Sequence, residues 1–334
     1  MKRRFAIVGL GHIGHRHAYI IQQNPDAELV ATVEVDESKR LSGTEAVPNY
    51  ISIEELFANE SDIDAVAICT PNGLHASHAL EALAHGAHVV IEKPMALSAV
   101  DCNAVIEKAN AAQKKVFCVM QNRYSPPAKW LKKMVDSGIL GNIYLVQINC
   151  FWNRDERYYN NNGDWRGSLA LDGGILYTQF SHFIDLIHWM FGGFADLDAS
   201  FFKARKEVKT EFEDTALVRC KLEDGIPCVM NFSTAVYEQN FESSISVIAQ
   251  HGTIKIGGQY MNEITYCDVK DYTLEKIETT QPANDYNGYS GSANNHPLVY
   301  ENVLEVLNHN HVETITALEG MQVVDVIERI YAFR

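Results

Sequence analysis

The chain has 334 residues, 46% hydrophobic and 21% charged, the make-up of a folded globular protein long enough for two cores. Its net charge of −15 argues against a nucleic-acid partner, because neutralising phosphates requires clustered Lys and Arg. Apolar runs of only a few residues predict no membrane partner and no export signal, hence a cytoplasmic protein, and seven cysteines (69, 102, 118, 150, 220, 228, 267) without a C-x-x-C pair suit a reducing compartment better than a disulfide framework or a structural zinc.

From Phe5 onward, strands are predicted at 5–8, 29–34, 64–69, 88–91 and 116–119, alternating with helices at 13–23, 54–59, 74–86 and 98–113. Such alternation implies right-handed βαβ units and a parallel sheet. The first strand runs into Gly9-Leu10-Gly11-His12-Ile13-Gly14 and then a helix. Glycine is required there for the tight turn, for close approach of a pyrophosphate and for helix–strand packing, with phosphate at the helix amino end. Glu34, twenty positions after Gly14, is placed to accept from ribose hydroxyls and to repel a 2′-phosphate, which favours NAD; Lys39 and Arg40 moderate that preference. A glycine turn serving packing alone is the competing reading. His12, His15 and His17 crowd the loop, yet their spacing fits surface or capping roles, and no metal is expected. The turn holding Thr70, Pro71, Asn72 and His75 follows the third strand and is expected to line the cofactor cleft. Glu92-Lys93-Pro94 follows the run 88–91 and puts an amine at a strand's carboxyl end, where open α/β sheets bind ligands. A plain surface lysine is equally compatible with that position.

Asn122-Arg123-Tyr124-Ser125-Pro126-Pro127 breaks the pattern, and 128–137 reads as a helix closed by Gly138. Alternating runs at 143–152, 197–203, 212–222, 226–235 and 243–250, with a hairpin signal at Glu223-Asp224-Gly225, predict a mostly antiparallel sheet. One helix is predicted from Gly174 to Phe191, and two more at 297–308 and 317–332. The expected domains are 1–121 and 122–316, with the helix at 317–334 packing back on the first. An irregular polar stretch at 281–295 reads as a long functional loop. On the helix from Gly174, Thr178 and His182 share a face and Asp185, three further on, can orient the imidazole. Histidine titrates in the range of a general base, although a core histidine is the plainer alternative. Arg123, Arg154, Arg157 and Arg166 make either a positive pocket for an anionic ligand or four solvated surface groups.

A glycine fingerprint, a T-P-N-x-x-H turn, an E-K-P strand end and a G-G-x-L-x-x-x-x-x-H helix, ordered along nearly the whole chain, resemble the Gfo/Idh/MocA family of sugar oxidoreductases. The resemblance implies an α/β Rossmann domain with a parallel sheet, followed by an α+β domain with a large open, mostly antiparallel sheet that serves dimer or tetramer contacts. It implies NAD as cofactor, Lys93 and His182 as catalytic residues, and a cofactor set of Gly9, Gly11, His12, Ile13, Gly14, Glu34, Thr70, Pro71, Asn72, His75, Glu92, Lys93 and Gln121. Most members carry an aspartate four residues before the histidine; here Thr178 stands there, which leaves His182 as a more direct base.

Within the family, the segments around Asn122, Trp152, Trp165 and Gln179 look most like nucleotide-sugar 3-dehydrogenases that oxidise UDP-N-acetylglucosaminuronate for surface polysaccharide synthesis. The substrate set implied is Lys93, Asn122, Arg123, Trp152, Arg154, Trp165, Arg166, Thr178, Gln179, His182 and His296. The chemistry agrees: indoles offer flat faces to a pyranose, and guanidinium groups pair with a uronate or diphosphate. Asn294, Asn295 and His296 are expected to reach the nucleotide, although an ordinary helix cap at Asn295 fits as well. Part of that branch regenerates bound NAD with 2-oxoglutarate. Rival readings are an inositol or free-sugar dehydrogenase, an NAD-using glycosidase, and a non-catalytic dinucleotide sensor, against which the presence of both Lys93 and His182 weighs.

Overall fold

The computed structural model describes residues 2–160, 165–275, 283–285 and 290–334. The chain divides into two units, Met1–Met120 with His296–Val324, and Gln121–Asn295 with Asp325–Arg334.

In the first unit, β1 (Arg3–Val8), α1 (His12–Gln23), β2 (Ala27–Val33), β3 (Asn49–Tyr50), α2 (Ile53–Asn59), β4 (Ala65–Ile68), α3 (His75–Ala84), β5 (His88–Ile91), α4 (Ala99–Ala112) and β6 (Val116–Cys118) alternate as expected. The strands form one parallel sheet in the order β3-β2-β1-β4-β5-β6. Every residue of β4 and the last four of β1 are buried, which is why these strands read as unbroken apolar runs: helices cover both faces of such a sheet. β3 is new relative to the sequence reading, because two residues carry no legible alternation. The strand order reverses between β1 and β4, and ligands of open sheets bind at the carboxyl ends beside that reversal. Gly9, directly after β1, has φ +91°, a conformation only glycine adopts freely. Gly14 packs so closely on the Gly9 carbonyl that no Cβ fits.

The unit is completed by α9 (His296–His309) and the start of α10 (Ala317–Tyr331). Gly320 of α10 lies against the Cys118 side chain of β6 with no room for a Cβ. The division between units falls within α10, after Val324.

The second unit contains α5 (Pro126–Asp136), β7 (Ile143–Phe151), α6 (Glu156–Asn160), α7 (Ile175–Thr178), α8 (Ser181–Phe191), β8 (Phe194–Phe202), β9 (Thr215–Leu222), β10 (Pro227–Ser233), β11 (Glu242–Ala249), β12 (Gly252–Gly257) and β13 (Glu263–Val269). Its seven-stranded sheet has the order β13-β12-β11-β7-β10-β9-β8; β7 and β10 run parallel and the remaining neighbours antiparallel. Alternation is clean in β9 and β10, where Ala216, Val218, Cys220, Leu222, Cys228, Met230 and Phe232 are buried and the residues between them face outward. β14 (Ala283–Asp285) and β15 (Ser290–Ala293) pair antiparallel within the polar 281–295 stretch; the rest of that stretch before Asn294 lies outside the described residues.

Three local features differ from the sequence reading. Pro126 and Pro127 open α5 instead of preceding it, since proline fits the first helical turn, whose N–H groups have no partner in the helix. β12 and β13 extend the sheet beyond 250. The single helix expected from Gly174 to Phe191 is two, broken at Gln179 and Phe180. Phe180 is fully buried and stacks on Phe232 at 4.9 Å, so packing of that ring prevails over a continuous helix.

Candidate active site

In the first unit the expected cofactor residues gather at the carboxyl ends of the central strands. Gly9, Gly11 and Gly14 form the turn between β1 and α1, and a Cβ at Gly11 would meet nothing within 4 Å, so this is the one glycine of the three with open space above it. That opening at a helix amino end is where backbone N–H groups receive a phosphate. Glu34 follows β2 and is buried; its carboxylate accepts the Leu10 N–H (2.7 Å) and the Asp36 N–H (2.9 Å). It fastens the glycine loop to the end of β2, and a carboxylate retains lone pairs for ribose hydroxyls. Lys39 and Arg40 pair with Asp36 (3.2 Å) and Glu37 (3.4 Å). The donor set therefore fits a dinucleotide lacking a 2′-phosphate.

The three loop histidines diverge. His12 is exposed, His15 meets the Lys39 carbonyl at 2.8 Å, and His17 is buried against Glu92. After β4, Asn72 is buried in a short turn, and His75 lies between the Thr70 carbonyl (2.8 Å from Nε2) and the Pro94 carbonyl (2.7 Å from Nδ1). Glu92 follows β5; it is buried, and its Oε2 accepts the Lys93 N–H at 3.1 Å. Lys93 itself is half-buried. His296, expected to reach the nucleotide, sits inside this unit, 1% exposed and 3.5 Å from Glu92.

The second unit collects the expected substrate residues in two groups. The first is an alternating stack. The Arg154 guanidinium lies over Trp152 (4.7 Å) and Tyr158 (5.1 Å), and that of Arg166 over Tyr158 (4.1 Å) and Trp165 (5.2 Å). Such stacks stabilise cations by about 0.5–1 kcal/mol at exposed sites and about 2 kcal/mol when desolvated. Arg154 also donates to Gln179 Oε1 (2.6 Å) and Asn240 Oδ1 (3.0 Å), and Gln179 Nε2 donates to the Tyr158 hydroxyl (2.7 Å). Burial, with Arg166 as a cationic neighbour, pushes the Arg154 guanidinium down to about 10. It remains charged at neutral pH. Trp152 differs from the expected sugar platform: it is 4% exposed, donates to Ser243 (2.8 Å) and packs between Phe180 and Phe183. Its indole supports Arg154 from within.

The second group surrounds α8. His182 lies in its first turn, 2% exposed, and Asn122 is buried in the turn before α5 with no hydrogen-bond partner for its carbonyl oxygen among the described residues. Asp185, expected to orient His182, is gripped by Arg123, whose Nε and Nη2 reach it at 3.0 and 2.6 Å. Both groups are 1% exposed, and a buried guanidinium requires such a counter-ion. Arg157 is a solvated group paired with Asp155 and Glu238. The four arginines thus separate into one internal ion pair, one surface pair and two stacked cations. The helix is broken between Thr178 and His182, and the Thr178 hydroxyl bonds the Asp172 carbonyl and carboxylate. The carboxylate of Asp172, buried, also accepts the Gly167 N–H at 2.8 Å. Asp172, Tyr158 and Asn240 were not singled out from sequence as ligand residues, since nothing in their spacing links them to Thr178 or Arg154. Gln121, also expected near the cofactor, is buried at the start of this unit.

Known proteins agree with both halves. Residues 3–120 match a family model described as an oxidoreductase family with an NAD-binding Rossmann fold, and residues 128–255 match a GFO/IDH/MocA C-terminal domain. The chain is 31% identical to the WlbA dehydrogenase of Bordetella pertussis, solved with NADH and UDP-GlcNAcA, over 100% of this chain and 96% of that one, with a TM-score of 0.87. It is 29% identical to the WlbA enzyme of Chromobacterium violaceum, solved with the same ligands, over 99% and 93%, also at 0.87. The myo-inositol 2-dehydrogenase of Thermotoga maritima is 26% identical over 75% of this chain and 74% of its own length.

Proposed function

The chain belongs to the Gfo/Idh/MocA family of NAD-binding oxidoreductases, and within it we propose that it oxidises the 3-hydroxyl of a UDP-linked N-acetylamino-sugar uronate. It is an NAD-dependent dehydrogenase. The observation that carries the substrate class is the stack of Arg154 and Arg166 between Tyr158 and two indoles: two cations held this close call for an anion, which a uronate or diphosphate provides and a free polyol does not. The ligand of the WlbA relatives, UDP-GlcNAcA, has that chemistry.

NAD, when bound, supplies the hydride acceptor; the turn of Gly9, Gly11 and Gly14 would hold its pyrophosphate, and Glu34 its ribose. His182 takes the hydroxyl proton as general base, and Lys93 steadies the charge that develops on the oxygen. Asn122 and Gln179 bond the sugar's polar groups. We further propose assembly into dimers or tetramers through the outer face of the second unit's sheet, where Leu217, Val229, Ile248 and Tyr266 are exposed.

Incubation with UDP-N-acetylglucosaminuronate and NAD, with 2-oxoglutarate added, is expected to give a 3-keto product detectable by mass spectrometry. Oxidation of myo-inositol with no turnover of the nucleotide sugar would select the second reading, which the inositol dehydrogenase relatives favour. Lys93→Met is expected to abolish turnover while leaving NAD binding intact; retained turnover would remove Lys93 from the catalytic pair, and no reduction of NAD by the parent with any tested substrate would return the protein to the sensor class.

A further inference from the structure

Lys93 is flanked on both sides by buried, hydrogen-bonded polar groups. On its amino side, Glu92 turns back so that Oε2 accepts the Lys93 N–H (3.1 Å), while Oε1 meets His17 Nε2 (2.9 Å) and His296 Nε2 (3.5 Å). His17 Nδ1 in turn lies 2.7 Å from the Tyr300 hydroxyl. Tyr300, His17 and Glu92 thus form one hydrogen-bonded chain. On the carboxyl side, His75 reaches the carbonyls of both Thr70 and Pro94. Carbonyls only accept, so a neutral ring donates to one of the two at a time; burial, outweighing the two carbonyls and Glu92, holds the imidazole below its ordinary value.

All these groups belong to the first unit and are at most 5% exposed. They come from α1 (His17), the turn into α3 (His75), the end of β5 (Glu92) and α9 (His296, Tyr300). The other titratable or charged groups shown to interact with the cluster are Cys69 after β4, Arg16 on α1, His78 on α3 and Lys93 itself. Burial works against charge on Glu92, but His17 and His296 outweigh it and hold the carboxyl well below the usual carboxylate range. A buried, ionised carboxylate is costly unless it is bonded this fully. Such a charge next to the residue that carries the chemistry acts on its neighbour.

We propose that Glu92, kept ionised by His17 and His296, and His75 are positioning residues for Lys93: they fix the main chain on both sides of it, and the carboxylate charge favours the ammonium form of its side chain. The proposal deepens the role given to Lys93 above, and its test does not need the substrate to be right. Competitive acylation with trace acetic anhydride, read at Lys93 by peptide mass spectrometry, measures how much of the amine is unprotonated at each pH. In Glu92→Gln the negative charge is gone, the ammonium loses support, and labelling of Lys93 at pH 8 is expected to rise roughly three- to tenfold over the parent, other lysines being unchanged. Tyr300→Phe, which removes the hydroxyl that holds His17 in place against Glu92, is expected to act in the same direction with smaller size. Thermal melts and NAD titration report whether each variant is folded. Unchanged Lys93 labelling in folded Glu92→Gln overturns the proposal. If that variant does not fold, unchanged labelling in Tyr300→Phe overturns it instead. Shifted labelling combined with no turnover of the nucleotide sugar by the parent would sustain the cluster's role and remove only the substrate reading.

Discussion

At the scale of single residues, the site depends on how charges are buried. Arg123 and Asp185 neutralise each other inside the second unit, so Arg123 serves the fold, whereas Arg154 and Arg166 rest on aromatic faces. Arg166→Ala is therefore expected to raise KM for an anionic nucleotide sugar by about ten- to a hundredfold, with little effect on any free polyol, in steady-state kinetics. An equal rise for both substrates would make Arg166 a structural residue. The same reasoning was partly open from sequence: the Arg cluster and His182 were visible as residue types, but which arginine meets a carboxylate depends on chain segments 62 positions apart.

Single residues also set acid stability. His88, first in β5, accepts the Lys115 N–H through Nδ1 at 2.9 Å, and burial together with nearby cations pushes it down to about 4. In the unfolded chain the same imidazole takes its proton near the ordinary 6.5. The unfolded state therefore binds the proton first as pH falls, so this contribution is complete above about 6.5 and lost on the way to about 4. Urea unfolding between pH 7.5 and 4.5 is expected to show a midpoint that declines less steeply in His88→Asn than in the parent.

At the scale of elements, β1, β2, β4, β5 and β6 were legible because buried parallel strands are short apolar runs between glycine-rich turns, and the glycine loop lies where its spacing predicts. The 174–191 segment was not, because its helical period continues through a residue whose ring packs on another strand. Close packing of α10 on β6 was equally hidden. Gly320→Ala would press a methyl group on the Cys118 sulfur and is expected to cost about 1–3 kcal/mol, measured as a lower denaturation midpoint. Adding Cys118→Ala should restore part of that loss, since the two residues share one contact.

At the scale of the whole molecule, the outer face of the second unit's sheet presents Leu217, Val229, Ile248 and Tyr266 between polar neighbours. If copies meet there, Leu217→Lys with Val229→Lys is expected to lower the sedimentation mass without changing the far-UV circular dichroism; an unchanged mass would assign that face to solvent. Among the described residues no helix is long and apolar enough to cross a membrane.

The sequence by itself determined the Rossmann half, the cofactor class and the strand end bearing Lys93, because these depend on local patterns: glycines where φ must be positive, apolar runs where a strand is covered on both faces, an acid at a fixed distance from the loop. Tertiary structure alone decided which buried groups neutralise one another. His17, Glu92, His296 and Tyr300 span more than 280 positions, and desolvated charges choose partners by proximity in space, a property that no spacing along the chain encodes.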